Sequence, residues 1–371
     1  MADPRFPASV YASRLQRAAA GAATAGIDAL IIGPGPDLRY LTGSRASTFE
    51  RLTALVVPAT AEPTVVVPRM EAAALRESAI AELGLRVLDW VDGDDPYASA
   101  LGAAAPIGTL AVSESMPALH VIELADRAGA VPRLATPVLR ELRMVKDAAE
   151  IDALRLAGTA IDRVHARMGQ WLRVGRTESV VAADLAAAIV AAGHTAAEFV
   201  IVGSGPNAAD PHHEVSDRVI VEGDVVVVDI GGSVPAGYNS DSTRTYRLGN
   251  VPDAISRSYA VLQEAQQAAV DAARPGATAG EVDEAARAVL ERAGLAENFI
   301  HRTGHGIGLA VHEEPYIIAG DDTVLRPGMT FSVEPGIYFP GEWGARIEDI
   351  VVVTDTGSER LNARPRGLTA V

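Results

Sequence analysis

The feature that most constrains this chain is a carboxylate-bearing strand that occurs twice. Val225-Val226-Val227-Val228-Asp229 is a run of β-branched residues ending on an acid, bounded by Gly223-Asp224 and by Gly231-Gly232. Such a run reads as a buried strand, and Tyr238-Asn239-Ser240-Asp241-Ser242-Thr243-Arg244-Thr245 reads as its returning hairpin partner. The pattern predicts that Asp229 and Asp241 face each other across the hairpin. An ionised carboxylate on so apolar a strand is costly to bury alone, so each Asp needs an Arg, a Lys or a metal ion. No Lys lies in or near the hairpin, and alternation sends Arg244 to the face opposite Asp241.

Gly328-Met329-Thr330-Phe331-Ser332-Val333-Glu334 then repeats the spacing of Gly223 to Asp229, and Gly344-Ala345-Arg346-Ile347-Glu348-Asp349-Ile350 puts Glu348 where the first hairpin has Asp241. Upstream, a constant offset of 101 relates Arg173 to Arg274, Gly175 to Gly276, Thr177 to Thr278, Gly193 to Gly294, Gly203 to Gly304 and Gly205 to Gly306. The chain therefore contains an internal duplication of a helix plus a hairpin, each copy bringing two strand carboxylates.

With 371 residues and 48% apolar content, the chain has room for two domains with sizeable cores. A net charge of −16 repels phosphate backbones and anionic lipid, which argues against nucleic acid or a membrane surface as partner. The chain has no cysteine, which removes disulfides and thiolate metal sites and fits a reducing compartment. The opening Met1-Ala2-Asp3-Pro4-Arg5-Phe6 lacks a signal-peptide core, and no run approaches the ~20 apolar residues of a spanning helix. A cytoplasmic location is expected.

The first part alternates helix and strand patterns: a helix over 11–25, strands over 29–32, 52–57 and 64–67, a helix over 70–80, strands over 85–90 and 109–112, and a helix over 120–128. This is a small α/β domain, 1–137, with a boundary at Pro137 and a second domain over 138–371. Gly33-Pro34-Gly35-Pro36 is a plain turn: Leu38 occupies the third glycine position of a dinucleotide loop, and proline removes donors that such a loop needs. A long charged helix is expected from Leu139 through Arg143, Lys146, Asp147 and Glu150 into Ile151, Leu154 and Ile161. The helix starting at Thr278 has a capping box with Glu281.

Asp229, Asp241, Glu334 and Glu348 carry four negative charges, which two divalent cations neutralise, and one neutral His completes such a shell. Oxygen ligands with one imidazole suit Mn, Co, Zn or Fe. Two ions bridged by carboxylates ~3.5–4 Å apart share a hydroxide and polarise a carbonyl, which is hydrolysis chemistry. The competing reading, four acids on a solvated sheet face, fails because Val227 shares a face with Asp229 and Ser332 with Glu334, leaving no polar stripe.

Asp229-Ile230-Gly231, Ser240-Asp241-Ser242-Thr243-Arg244-Thr245, Thr303-Gly304-His305-Gly306-Ile307-Gly308, Glu334-Pro335-Gly336 and Arg346-Ile347-Glu348-Asp349 together resemble the "pita-bread" metallopeptidases, and among them the Xaa-Pro dipeptidases or prolidases. The resemblance covers the whole chain, with Leu142-Arg143-Met144-Val145-Lys146 similar to the usual entry into the catalytic domain. It implies an α/β creatinase-like N-terminal domain and an α+β pita-bread catalytic domain with an internal pseudo-two-fold repeat. It also implies a homodimer and a peptide substrate with proline at the second position, with manganese as the first choice of metal.

Carried over position by position, the resemblance implies that Asp229, Asp241, His305, Glu334 and Glu348 are metal ligands. It further implies that His212 and His312 contact substrate or the tetrahedral intermediate, and that Glu334 shuttles a proton. His212 stands 17 residues before Asp229 and His312 stands 7 after His305, as in the family; His213 reads as ordinary surface. Arg346 is expected to pair with Glu348 and Asp241 as a supporting residue. His301 matches a substrate-contacting position and equally fits a packed histidine; Tyr338 equally fits plain core.

Many prolidases carry an arginine between the second histidine and the first glutamate, where it grips the free carboxylate of a dipeptide. Here His312-Glu313-Glu314-Pro315-Tyr316 is followed by no arginine before Arg326. The expected substitutes are Arg346, Arg39 or the N-terminal domain of a partner subunit. The alternative activity is aminopeptidase P-type removal of the first residue from longer Xaa-Pro peptides, although the gap of 14 between Glu334 and Glu348 is closer to dipeptidases. More remote are metal-free creatinase-like hydrolases and peptide-binding relatives without catalysis, which lose ligands that this chain keeps.

Overall fold

A computed structural model describes residues 5–47, 50–105 and 108–371. The chain divides into two compact units, Met1–Arg143 and Met144–Val371, so the division falls later than Pro137. The expectation placed on the opening residues lies, for 1–4, outside the described part. Among the described residues no helix is long and apolar enough to cross a membrane.

The first unit runs α1 (Ala8–Thr24), β1 (Ala29–Ile32), α2 (Pro36–Thr42), β2 (Ala54–Pro58), β3 (Thr64–Pro68), β4 (Arg86–Trp90), α3 (Pro96–Ala104), β5 (Leu110–Val112), α4 (Ala118–Ala128), β6 (Arg133–Leu134) and α5 (Thr136–Arg143). Its strands form one mixed sheet in the order β4-β3-β2-β1-β5-β6. β1, β2 and β3 are buried along their whole length, as continuous Val, Leu and Ile runs predict for strands covered on both faces. The Gly33-Pro34-Gly35-Pro36 turn forms, and it also leads into α2, which the turn reading leaves out.

Two expectations fail here for tertiary reasons. The predicted helix over 70–80 shrinks to a 3₁₀ turn at Ala72–Leu75. The Ser78 hydroxyl donates to Leu75 O, and Ala79 N donates to Thr42 O at 2.8 Å, so the backbone is drawn to α2 instead of continuing. The single charged helix from Leu139 is in fact two, α5 and α6 (Ala148–His165), separated by an extended segment. Val145 bridges Met329, Lys146 N donates to Gly328 O at 2.9 Å, and Asp147 restarts the helix as N-cap in a capping box with Glu150.

The second unit continues with α7 (Glu178–Ala191), β7 (Ala196–Ser204), β8 (Val225–Ser233), β9 (Asn239–Arg247), α8 (Asp253–Ala272), α9 (Ala279–Arg292), β10 (Gly304–Gly306), β11 (Glu313–Ile317), β12 (Thr330–Val333), β13 (Gly336–Phe339), β14 (Trp343–Arg346), β15 (Asp349–Val353), β16 (Ser358–Arg360) and β17 (Thr369–Ala370). The two copies of the duplicated unit have matching local geometry. Thr177 and Thr278 both cap helices and bridge Val219 and Val324. Gly175 N donates to Ile220 O and Gly276 N to Leu325 O, and both glycines have positive φ, 87° and 85°. The antiparallel set β7-β8-β9 recurs as β10-β12-β15. Each copy has its own core, Val226, Val228 and Ile230 packing with α6 and α7, and Phe331, Val333 and Val351 packing with α8 and α9.

The copies differ where the acids sit. The first hairpin is unbroken, with Asp229 opposite Thr243 and Asp241 opposite Gly231, so the two acids are diagonal neighbours on one face and not direct partners. The second is split into β12/β15 and β13/β14, with Glu334 and Glu348 in the two breaks. Pro335 has no N–H for a ladder, and Glu348 N donates instead to Thr243 O of the first hairpin at 3.1 Å. On the far face Arg244 pairs with Asp349 at 2.6 Å, so the hairpins are also joined from behind.

His165 is 2% exposed, hydrogen-bonded through Nδ1 to Tyr246 and through Nε2 to Ser242 O. Burial, with the nearby charge of Arg244, lowers its pKa to about 3. The unfolded chain therefore takes up this proton first, and stability drops as pH falls from about 6.5 toward 3, by ~1.4 kcal/mol per pH unit from this group. His165→Gln is expected to be less stable than wild type at pH 7, with the difference shrinking toward pH 5 in urea titrations. Parallel stability curves for the two proteins would contradict this.

Candidate metal centre

One cavity of about 750 Å³ collects most of the side chains singled out by sequence: Asp229, Asp241, Glu334, Glu348, His212, His301, His305, His312 and Arg346 all line it. Three of them, Asp241, His305 and Glu348, each offer an atom within 4.8 Å of the others. His305 Nε2 lies 3.2 Å from Glu334 Oε1 and 3.7 Å from Asp241 Oδ2. Its Nδ1 donates to Gly306 O at 3.1 Å, which turns Nε2 toward the acids. Glycine on either side of His305 follows from packing, because a Cβ at 304 would strike Ser332 O and one at 306 would strike Glu314 O.

The acids are held by neutral donors. Thr243 Oγ1 donates to Glu348 Oε2 at 2.8 Å and Ser332 Oγ to Glu334 Oε1 at 3.0 Å. Arg346 does not pair with Glu348 and Asp241 as expected. Its Nη2 binds Asp229 Oδ2 at 2.7 Å, while other donors go to Thr243 Oγ1, Tyr338 Oη and Pro211 O. The reason is the break after β14, which takes Glu348 out of the strand alternation that the expectation assumed.

Tyr338, 2% exposed, sits behind the wall and is not among the residues lining the cavity. Its hydroxyl accepts from Arg346 and lies 2.9 Å from His301 Nε2, and His301 Nδ1 donates to Arg302 O, so both ring nitrogens of His301 are engaged. His312 packs its ring against His305 with centroids 4.1 Å apart. Partial burial, with the charges of His305 and Arg302, lowers His312 to about 4. His212 lines the cavity from the loop after β7.

That loop is held by a residue with no sequence signal beyond its place in the first turn of α7. Glu178, fully buried, accepts from Ser204 N and Oγ, Asn207 Nδ2, Ser216 N and Oγ, and His213 Nε2 at 2.7 Å. Burial acts to raise its pKa, but the Ser204, Ser216 and His213 hydrogen bonds outweigh it and the net shift is downward. His213 is thus part of this anchor and not ordinary surface. Also unassigned from sequence were Arg302 and the apolar Phe199, Ile201, Val311 and Ile318, all in the cavity wall. Phe199 and Ile201 reach it because the β7–β8 register sets them opposite Gly231 and Asp229.

Residues 14–145 match the creatinase/prolidase N-terminal domain and residues 152–355 match metallopeptidase family M24. The chain is an M24 metallopeptidase. It is 64% identical to the probable dipeptidase PepE of Mycobacterium tuberculosis, over all of this chain and 99% of that protein. It is 35% identical to the Xaa-Pro dipeptidase of Pyrococcus horikoshii, over 92% of this chain and 94% of that one. The crystal structure of dipeptidase PepE from Mycobacterium ulcerans superposes with a TM-score of 0.95 at 63% identity, covering 99% of both chains. The M24 metallopeptidase has the creatinase-type N-terminal domain and the pita-bread catalytic fold expected from sequence. It is a hydrolase of the dipeptidase and prolidase group, a family that works with divalent metal ions.

The residues present fit such ions. Five carboxylates line the cavity wall, Glu198 and the four predicted ligands; among the described residues Arg346 is the guanidinium that reaches the four, at 2.7 Å from Asp229 and 4.0 Å from Glu334. Asp229 Oδ1 is buried and has no hydrogen-bond partner among the described residues. Burial and the charge of Asp229 push Asp241 well above the usual carboxylate range, and burial with the charge of Asp241 does the same to Glu348. Burial alone would raise Glu334 and lower His305, but their mutual contact reverses both, taking Glu334 to about 2 and His305 upward. Unpaired buried acids of this kind mark a place for positive charge.

Without divalent ions, Asp241→Asn or Glu348→Gln in the M24 metallopeptidase is expected to raise the melting temperature at pH 7 by roughly 5 °C, at ~2–4 °C per kcal/mol in a domain this large. The same substitutions should erase the upward shift that Mn²⁺ gives the wild type. Scanning fluorimetry in chelator and in Mn²⁺ reads both. A variant less stable than wild type in chelator, yet still responsive to Mn²⁺, would contradict the charge-crowding account.

Proposed function

We propose that this protein is a two-metal Xaa-Pro dipeptidase, with Asp229, Asp241, His305, Glu334 and Glu348 as ligands. The observation that carries this reading is the convergence of Asp229, Asp241, Glu334 and Glu348 with His305 on a single cavity where, among the described residues, Arg346 is the one guanidinium that reaches those acids, touching Asp229 and, more distantly, Glu334. Oxygen donors with one imidazole and no thiolate favour manganese, with cobalt, zinc or iron as alternatives. Bound there, such ions would supply a Lewis acid for the scissile carbonyl and would make water acidic enough to act as a nucleophile at neutral pH.

The chain's own residues do the rest. His212 donates a hydrogen bond to the oxyanion as it develops, from a loop anchored by Glu178. Glu334, with Ser332 fixing its Oε1, moves a proton to the leaving proline nitrogen. His312 meets the substrate as a neutral imidazole, since a pKa of about 4 leaves it uncharged at physiological pH. Arg346 holds Asp229 in orientation. Phe199, Ile201, Val311 and Ile318 offer an apolar surface for the proline ring, whose nitrogen has no proton to give after acylation. A homodimer in the cytoplasm completes the reading, on the family resemblance and on the absence of cysteine.

Glu334→Ala and His305→Ala are expected to abolish hydrolysis, a loss of at least ~10³-fold in kcat/KM, with circular dichroism unchanged. With Mn²⁺ or Co²⁺ added, an Xaa-Pro dipeptide should be cleaved faster than the matching Xaa-Pro tripeptide. Cleavage of the tripeptide alone would make the enzyme an aminopeptidase of the P type.

A further inference from the structure

Among the described residues two guanidinium groups line the cavity, and they differ in what they do. Arg346 is heavily engaged: Asp229, Thr243, Tyr338 and Pro211 take four of its five N–H donors at 2.7–3.2 Å. Arg302 has no ion pair or side-chain hydrogen bond among the described residues. Its guanidinium instead stacks 4.4 Å from the centroid of the Tyr316 ring, and both residues are partly exposed. Stacking stiffens the side chain while leaving the in-plane N–H fork open, the geometry that receives a carboxylate edge-on. An unpaired cation is unexpected in a wall so rich in acids unless something absent from the protein chain uses it.

We infer that Arg302 is the specificity-determining residue that grips the free α-carboxylate of a short peptide substrate. The inference rests on the peptide-hydrolase reading above and adds to it the group that decides peptide length. His301, whose ring also lines the cavity, is the neighbouring residue, so Arg302 is carried by the same short segment that leads into β10 and His305. Arg302 is also within electrostatic reach of His312, whose ring touches His305, which sets the guanidinium beside the reacting end of the cavity. Arg346, one of the substitutes expected from sequence, already gives four of its five N–H donors to the protein. A dipeptide ends in a carboxylate one residue beyond the scissile bond. An amide in its place, or a further residue, removes or displaces the charge that Arg302 would hold.

The carboxylate takes no part in bond breaking, so its ion pair is as strong in the bound substrate as in the transition state, and its loss appears in KM. The test uses the full-length enzyme with Mn²⁺ and three substrates: Ala-Pro, its C-terminal amide, and Ala-Pro-Ala. Wild type should prefer Ala-Pro to the amide by roughly 10- to 100-fold in kcat/KM, the range for a charge-assisted hydrogen-bonded pair. Arg302→Gln should raise KM for Ala-Pro by about that factor, leave kcat within ~3-fold, and leave the amide unaffected. Arg302→Lys should recover part of the preference. Equal losses on Ala-Pro and on the amide would overturn the inference, because a merely structural arginine affects both alike. So would a wild type indifferent to amidation. Should wild type cleave no Xaa-Pro dipeptide, the peptidase reading fails separately, and calorimetric binding of the uncleaved dipeptide still decides the clamp. Tighter binding than the amide in wild type and equal binding in Arg302→Gln support it, and equal binding of both by wild type overturns it.

Discussion

The second unit is arranged around an excess of buried negative charge. Asp229, Asp241, Glu334 and Glu348 are brought to one cavity by two hairpins, and among the described residues a single guanidinium, that of Arg346, reaches them, at 2.7 Å from Asp229 and 4.0 Å from Glu334. Left alone, such a group is a liability for folding: burial and the charge of Asp229 shift Asp241 upward, and burial and the charge of Asp241 shift Glu348 upward. With divalent cations the same crowding becomes a site. Both hairpins, both cores and the far-face Arg244–Asp349 pair serve to hold the acids close together despite their repulsion.

Duplication explains how this geometry is reached. Each half carries a capped helix, a glycine of positive φ and a carboxylate-bearing strand pair in corresponding places. The halves are not equal at the site. Unbroken β8 and β9 fix Asp229 and Asp241 on a rigid ladder, whereas Glu334 and Glu348 sit in strand breaks where their backbones turn toward Thr303 and Thr243. Breaking the second pair lets its acids reach in toward the first, and it frees Arg346 to bind Asp229 across the cavity.

Much of this was legible from the sequence, because β-branched runs ending in acids are a strong signal and the offset of 101 residues is easily seen. β1 agrees with its predicted bounds, and β2, β3, β8 and β9 lie within a few residues of theirs. What was not legible depends on partners distant in sequence. Nothing in 139–161 shows that Val145 and Lys146 leave the helix to meet residues 328 and 329. Nothing in 70–80 shows that Ala79 will find Thr42. α3 is the exception, a helix whose start is marked locally by the N-cap Asp95 followed by Pro96. At the site, residue types were readable but pairings were not: Arg346 took Asp229 because a strand ended, and His213 took Glu178 because a loop folded back. Arg302 stood beside a recognised motif, yet only the cavity shows that it faces inward.

The most direct measurement is the number of divalent ions held per chain after loading with Mn²⁺ and exhaustive dialysis, counted by plasma emission spectrometry. Two ions per chain in the wild type, reduced in Asp241→Asn, is the expected result. A chain that retains no ion at all, or retains as many once Asp241 is neutralised, would contradict the claim that this crowd of acids exists to bind metal.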